Sequence, residues 1–120
     1  MTGSLSKSDA LAKHERLKNS SEISMILKKG NRLKGKAISL YFIQSRSMAF
    51  AVLVAKSVGT AVQRNKIKRW VREIFRAYRS TLPFPCTVVI TINKHVLNID
   101  HTVLDTDINR LFGKISPEGQ

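Results

Sequence analysis

Arg64, Lys66, Lys68, Arg69, Arg72, Arg76 and Arg79 lie within sixteen positions and make up seven of the chain's 21 lysines and arginines, with Glu73 the single acid among them. Guanidinium forks match the paired oxygens of phosphate, and ammonium groups add point charge. Asn65 contributes an amide that both donates and accepts. The chemistry open to such a set is recognition of a polyanion. At about 100° per residue, Asn65, Lys68, Arg69, Arg72, Arg76 and Arg79 share one side of a helix, and Ile67, Trp70, Val71, Ile74 and Tyr78 the other. The spacing predicts a helix with one buried face and a basic stripe of a single sign on its back. Trp70 and Tyr78, at core-facing angles, are expected to pack inward rather than stack on bases.

Residues suited to autonomous catalysis are scarce. A metal-dependent nuclease needs converging carboxylates. Of the eight acids, the candidates within the basic segment and the last helix are Glu73, Asp100, Asp105 and Asp107. Asp105 and Asp107 stand two apart, so a helix sends them to different sides, and a solvated face is the expectation for both. Glu73 is expected to pair with Arg69 or Arg76, at spacings of four and three. His14, His95 and His101 show no ligand spacing. Cys86 is alone, which leaves neither an intramolecular disulfide nor a cysteine-rich zinc site. It follows Pro85 at a strand start and reads as a small core residue. No phosphate-binding or dinucleotide glycine pattern occurs. No catalytic and no metal-binding residue is assigned to the chain.

The bulk properties agree with polyanion binding. A chain of 120 residues with 42% hydrophobic content supports one modest core. A formal charge of +13 repels itself unless a polyanion neutralises it, so nucleic acid is the leading partner and a membrane surface the weaker one. No apolar run approaches the roughly 20 residues of a spanning helix, and the N-terminus lacks the apolar centre of a secretory signal. The chain reads as cytoplasmic. Residues 1 to 36 hold nine basic and three acidic groups, whereas residues 94 to 120 hold three and four. The nucleic-acid face is therefore placed on the first two-thirds, with the end as scaffold.

The elements that must hold the stripe follow from pattern. Residues 1–13, polar and rich in Ser and Lys, read as a disordered basic arm; 14–115 form one domain and 116–120 a tail. Ser20 or Ser21 caps a short helix carrying Ile23, Ile26 and Leu27, stopped by Gly30. Ala37–Ile43 and Ala49–Ala55 read as strands, joined as a hairpin through residues 44–47. The second is apolar enough to be buried on both faces. After Lys56 and a turn, Thr60 caps the long helix, which runs to about Arg79 because Pro83 and Pro85 forbid its continuation. Cys86–Ile92 is another apolar strand. A last helix runs from Ile99 or Asp100 to Phe112 on a stripe of Val103, Leu104, Ile108, Leu111 and Phe112. Strand, helix and strand about the basic segment predict a parallel β-α-β unit in an α+β sandwich. Tyr41 and Phe42, adjacent on one strand, must face opposite ways, and one of them can open onto a cleft and stack on an unpaired base. Lys56, at a strand end, suits either phosphate contact or a solvated loop.

The stretch VAKSVGTAVQRNKIKRWVREIFR resembles the signature of the bacterial ribonuclease P protein subunit, through Gly59, Ala61, Val62, Arg64, Asn65, Lys68, Arg69, Arg72, Glu73 and Phe75 in that order. Arg16-Leu17-Lys18 before a short helix ending at Gly30 resembles the family's opening, and the likeness covers roughly residues 14 to 113. It implies a two-layer α/β sandwich, ribosomal-protein-like, with a central four-stranded sheet and a left-handed β-α-β crossover, an exception to the right-handed rule. It implies a partner, the catalytic ribonuclease P RNA, which uses Mg²⁺ to remove the 5′ leader of precursor tRNA while the protein supplies no metal site. Lys56, Arg64, Asn65, Lys66, Lys68, Arg69 and Arg72, with Arg76 on the same stripe, would then bind RNA. Ile23, Leu27, Tyr41 and Phe42 would line a cleft for the single-stranded leader. Lys66 replaces an arginine of the family pattern, Ser57 replaces a lysine, and Ile23 and Leu27 stand where the family often has phenylalanine.

The competing readings are a structural or ribosomal RNA-binding protein, a DNA-binding regulator and a free-standing nuclease. The regulator fits poorly, because two prolines follow the helix and no helix-turn-helix partner is evident.

Overall fold

The computed structural model describes residues 20–93 and 99–115. The expected arm and tail, Arg16-Leu17-Lys18, His14 and His95 lie outside them. Helix α1 (Ser20–Lys29) is followed by strands β1 (Asn31–Lys34), β2 (Ile38–Gln44) and β3 (Ala49–Leu53). Then come helix α2 (Ala61–Tyr78), strand β4 (Cys86–Ile92) and helix α3 (His101–Phe112), with single 3₁₀ turns at Lys56–Val58 and Arg79–Thr81. Ser20 and Ser21 are the first two residues of α1 rather than its cap.

The four strands lie in the order β1-β2-β4-β3. β1 and β2 pair antiparallel, as do β2 and β4, whereas β3 and β4 are parallel neighbours across the α2 connection. The expected hairpin between the second and third strands is therefore overturned. β4 enters between them, and the local hairpin is β1–β2, whose first strand is too polar to announce itself. β3 is buried on both faces at Phe50, Ala51 and Val52, as its composition predicts, although it sits at a sheet edge.

Alternation divides the sheet into two faces. Ile38, Leu40 and Phe42 of β2, Phe50 and Val52 of β3, and Val88, Ile90 and Ile92 of β4 face α2 and α3 and form the main core. Burying each of these large side chains contributes about 1.5–3 kcal/mol. Phe50 stacks on Phe75 with ring centroids 4.1 Å apart, and Phe112 meets Phe75 edge-on at 5.8 Å. The opposite face carries Tyr41, Ile43, Ala51, Leu53 and Val89, and among the described residues α1 covers it, through Ile23, Ile26 and Leu27.

Two acids expected at solvent are structural. Asp107 is 4% exposed. Its Oδ2 accepts from the backbone N–H of Ala37 at 2.8 Å and Ile38 at 3.0 Å. Its Oδ1 accepts from Lys36 N–H at 3.1 Å and from the Arg110 guanidinium at 3.0 Å. The carboxylate thereby clamps the β1–β2 turn onto α3, and a Cβ at Gly35 would strike it, which makes glycine necessary there. Burial pushes the Asp107 pKa up, but the three N–H donors and Arg110 outweigh it and hold the carboxyl below its usual value. Asp105 accepts from the Tyr78 hydroxyl at 2.5 Å and so joins α3 to α2. Asp100 caps α3 by accepting from Val103 N–H at 2.9 Å, and Val103 itself is exposed, off the buried stripe.

Candidate nucleic-acid interface

The stripe owes its rigidity to the capped start and the buried back of α2. Thr60 closes a capping box: Gln63 N–H donates to Thr60 Oγ1 at 3.2 Å, and Thr60 N–H donates to Gln63 Oε1 at 2.8 Å. A Cβ at Gly59 would meet the amide of that glutamine, so a larger residue there would have to displace the Gln63 side chain from the capping box. Ile67, Val71, Ile74 and Phe75 are buried beneath the helix. Phe75, assigned to neither face by pattern, is among the most buried of them, while Trp70 and Tyr78 are only half-buried and flank the core.

On the outer side, Asn65, Lys66 and Arg69 are exposed, and Arg64, Lys68, Arg72 and Arg76 are half-exposed along one surface. Arg64 Nη1 donates to the Gly59 carbonyl at 2.7 Å. That bond folds its guanidinium over the loop carrying exposed Lys56 and leaves four of its five N–H donors for a ligand. Lys66 Nζ lies 5.2 Å from the centroid of the Trp70 ring, a cation–π contact that orients the ammonium. Glu73 does not pair along its own helix. Its Oε1 points across to His101 Nε2 of α3 at 3.9 Å, while the His101 ring meets Trp70 edge-on at 6.0 Å. The one acid of the segment is thus turned away from the stripe.

A second feature lies on the α1 face of the sheet. A cleft of about 510 Å³ is lined by Arg32, Ser39, Tyr41, Leu53, Thr91 and Asn93, among others, and by Lys68 from α2. The structure separates the expected cleft residues. Tyr41 lines the cleft, whereas Ile23 and Leu27 are half-buried and pack, as Tyr41 also does, against the neighbouring cluster of Ile26, Ala51 and Val89 without lining it. Phe42 is 1% exposed in the main core, on the opposite face of the sheet, and contacts Phe84 there. A ring with no accessible face cannot stack on a base, so Phe42 leaves the set. Sequence pattern does not point to Arg32, Thr91 or Asn93. The only signal for the first is the alternation Arg32-Leu33-Lys34 between two glycines.

Glu73, Asp100, Asp105 and Asp107 are occupied with histidine, a helix cap, a tyrosine and a turn, and none is aimed at the stripe or the cleft. Among the described residues no group of three or more His, Cys, Asp or Glu side chains could hold a metal ion. Among the described residues, no helix is long and apolar enough to cross a membrane.

Residues 11–116 match the family model described as ribonuclease P. The chain is 30% identical over 110 residues to the ribonuclease P protein component of Desulfatibacillum aliphaticivorans, covering 87% of this chain and 90% of that protein. It is 30% identical over 88 residues to that of Thermotoga maritima, covering 72% and 75%. Among solved structures, the Thermotoga maritima RNase P protein superposes with a TM-score of 0.75 at 27% identity, covering 85% of this chain and 98% of that one. A Staphylococcus aureus RNase P protein shares the fold with a TM-score of 0.75 at 21% identity, covering 83% and 94%.

Proposed function

The chain belongs to the ribonuclease P protein family, and from that premise we propose how its two cationic surfaces divide the work. As a member it is the protein component of ribonuclease P, an accessory subunit of the endoribonuclease that removes the 5′ leader of precursor tRNA. The α2 stripe, with Arg64, Asn65, Lys66, Lys68, Arg69, Arg72 and Arg76, docks on the catalytic RNA, and Lys56 adds a phosphate contact from the adjoining loop. The cleft beside Tyr41, Ile23 and Leu27 receives the single-stranded leader of the precursor. The observation that carries this reading is the stripe itself: cations of one sign on a helix whose back is buried and whose only acid faces α3.

Binding energy used for positioning is how such a protein contributes to a reaction that occurs elsewhere. A capped helix fixed at four buried positions presents its donors with little further loss of entropy. Glu73, Asp100, Asp105 and Asp107 are engaged within the fold, and on this reading Mg²⁺ is held by the catalytic RNA and its substrate. The protein assists by neutralising phosphates around that assembly, in the cytoplasm. The core of the domain spans 14–115, with the basic arm adding non-specific charge.

The test is 5′-leader cleavage assayed with the protein alone, the catalytic RNA alone and both together. The expected result is no cleavage by the protein and strong enhancement of the RNA at low Mg²⁺. Mg²⁺-dependent cleavage by RNA-free protein overturns the assignment.

A further inference from the structure

The sheet register lays out the α1-side face as rows that run across the strands. One row is Arg32, Tyr41, Val89 and Ala51; the next is Lys34, Ser39, Thr91 and Leu53. α1 packs over the first row, through Ile23, Ile26 and Leu27 against Tyr41, Ala51 and Val89. The second row is the cleft floor, where Ser39, Leu53 and Thr91 all line the open volume. Both rows end at the β1 edge on a cation. Lys68 of α2 also lines the cleft, and the sheet from β1 to β3 spans three strand spacings, about 14 Å.

We infer that Arg32 and Lys34 form a second cationic rail, on the β1 edge, which grips the phosphates of a single strand lying across the cleft. The inference rests on the reading that this cleft takes the 5′ leader, and it adds two residues and a direction to it. The strand runs across the sheet, from Lys68 at the catalytic-RNA side to β1 at the outside. Arg32 is already oriented for phosphate contact. Its guanidinium lies 5.8 Å from the centroid of the Tyr41 ring, which holds the plane while leaving N–H edges for phosphate oxygens. That contact also occupies a face of Tyr41, so base stacking in the cleft falls as much to the guanidinium plane as to the phenol. Lys34 is exposed and lies two residues on, on the same face.

Both cations of the rail keep their charge available. Among the described residues neither Arg32 nor Lys34 is ion-paired. The carboxylate nearest to their turn, Asp107, is buried with both oxygens taken up by backbone N–H groups and Arg110. The alternative role for two cations on an edge strand is to prevent edge-to-edge pairing with another chain. That role makes no distinction between substrates.

The experiment uses the holoenzyme reconstituted with Arg32→Ala, Lys34→Ala and the double variant, beside Tyr41→Ala. Three quantities are measured across a salt series: affinity for the catalytic RNA, for precursor tRNA with leaders of increasing length, and for mature tRNA. The double variant is expected to bind precursor on the order of tenfold more weakly, with its salt slope lowered by roughly 0.7 per cation removed. Binding of mature tRNA and of the catalytic RNA is expected to be unchanged, and the penalty vanishes for leaders too short to reach β1. Equal losses for precursor and mature tRNA overturn the rail, as does self-association with an unchanged precursor-to-mature ratio. If Tyr41→Ala weakens leader-dependent binding and the double variant does not, the rail fails and the cleft reading stands. If neither variant affects it, the cleft reading fails as well.

Discussion

Asp107→Asn tests whether one buried carboxylate holds the β1–β2 turn in place. The native group accepts four hydrogen bonds, two at each oxygen. An asparagine can put its single carbonyl oxygen where Oδ2 stands and keep Ala37 and Ile38 N–H, but its NH₂ then faces Lys36 N–H and Arg110, donor against donor. Arg110 is exposed and recovers water. The Lys36 N–H is part-buried and loses its partner, at a cost of about 1–3 kcal/mol. The two retained bonds fall from charge-assisted to neutral, about 1 kcal/mol each. The sum, about 3–5 kcal/mol, is a large share of the roughly 5–15 kcal/mol that holds a domain of this size. The assay is urea unfolding of the isolated protein at a series of pH values. The folded-state pKa of Asp107 is lowered, so its contribution is present above the unfolded value of about 3.9 and disappears as pH falls through the folded value. The gap between native protein and variant should therefore be full at pH 7 and narrow towards acid. A gap below about 1 kcal/mol at pH 7, or one that does not change with pH, refutes the clamp.

Arg69→Ala, at an exposed position on the stripe, should leave stability within about 0.5 kcal/mol. It should also weaken assembly with the catalytic RNA several-fold and lower the salt slope by about one; an unchanged slope in a binding titration moves the RNA face elsewhere. Burial pushes the Cys86 thiol up to about 11, and the side chain has no exposed surface. A disulfide reagent at pH 8 should therefore label it only at the rate of unfolding, and rapid stoichiometric labelling of the native protein contradicts this packing.

What the chain discloses by pattern depends on how local its physics is. Cys86–Ile92 is legible to the residue because an apolar β-branched run between prolines and a polar stretch has one reading. The α2 helix is legible because a 3.6-residue period, a capping threonine and two following prolines agree. β1 is not, because Leu33 is the only apolar residue of its four and its pairing partner supplies the reason for the strand. The hairpin expected between β2 and β3 fails because proximity in the chain does not decide pairing here, and both strands prefer β4, some forty residues further on. Asp107 looks like surface because nothing near it in sequence reveals that the β1–β2 turn arrives with three unpaired N–H groups. The stripe belongs to the legible part, since period and charge both sit in one helix. The cleft does not, because its walls come from all four strands, the segment after β3 and Lys68 of α2.

The position of β4 has a consequence for the order in which the protein can form during synthesis. The strand at the middle of the sheet is the last of the four to leave the ribosome, after the whole of α2. Until it arrives, β2 and β3 have no common neighbour, and the apolar back of α2 has only part of its floor. For that interval the chain is a cationic amphipathic helix ahead of an open sheet, with its highest charge density and least burial coinciding. Non-local parallel pairing closes slowly, so the interval is set by topology and cannot be shortened by strengthening the helix. A strand that enters late and centrally also makes folding all-or-none for the interface: neither the stripe's backing nor the cleft floor exists in a chain that stops short of Ile92.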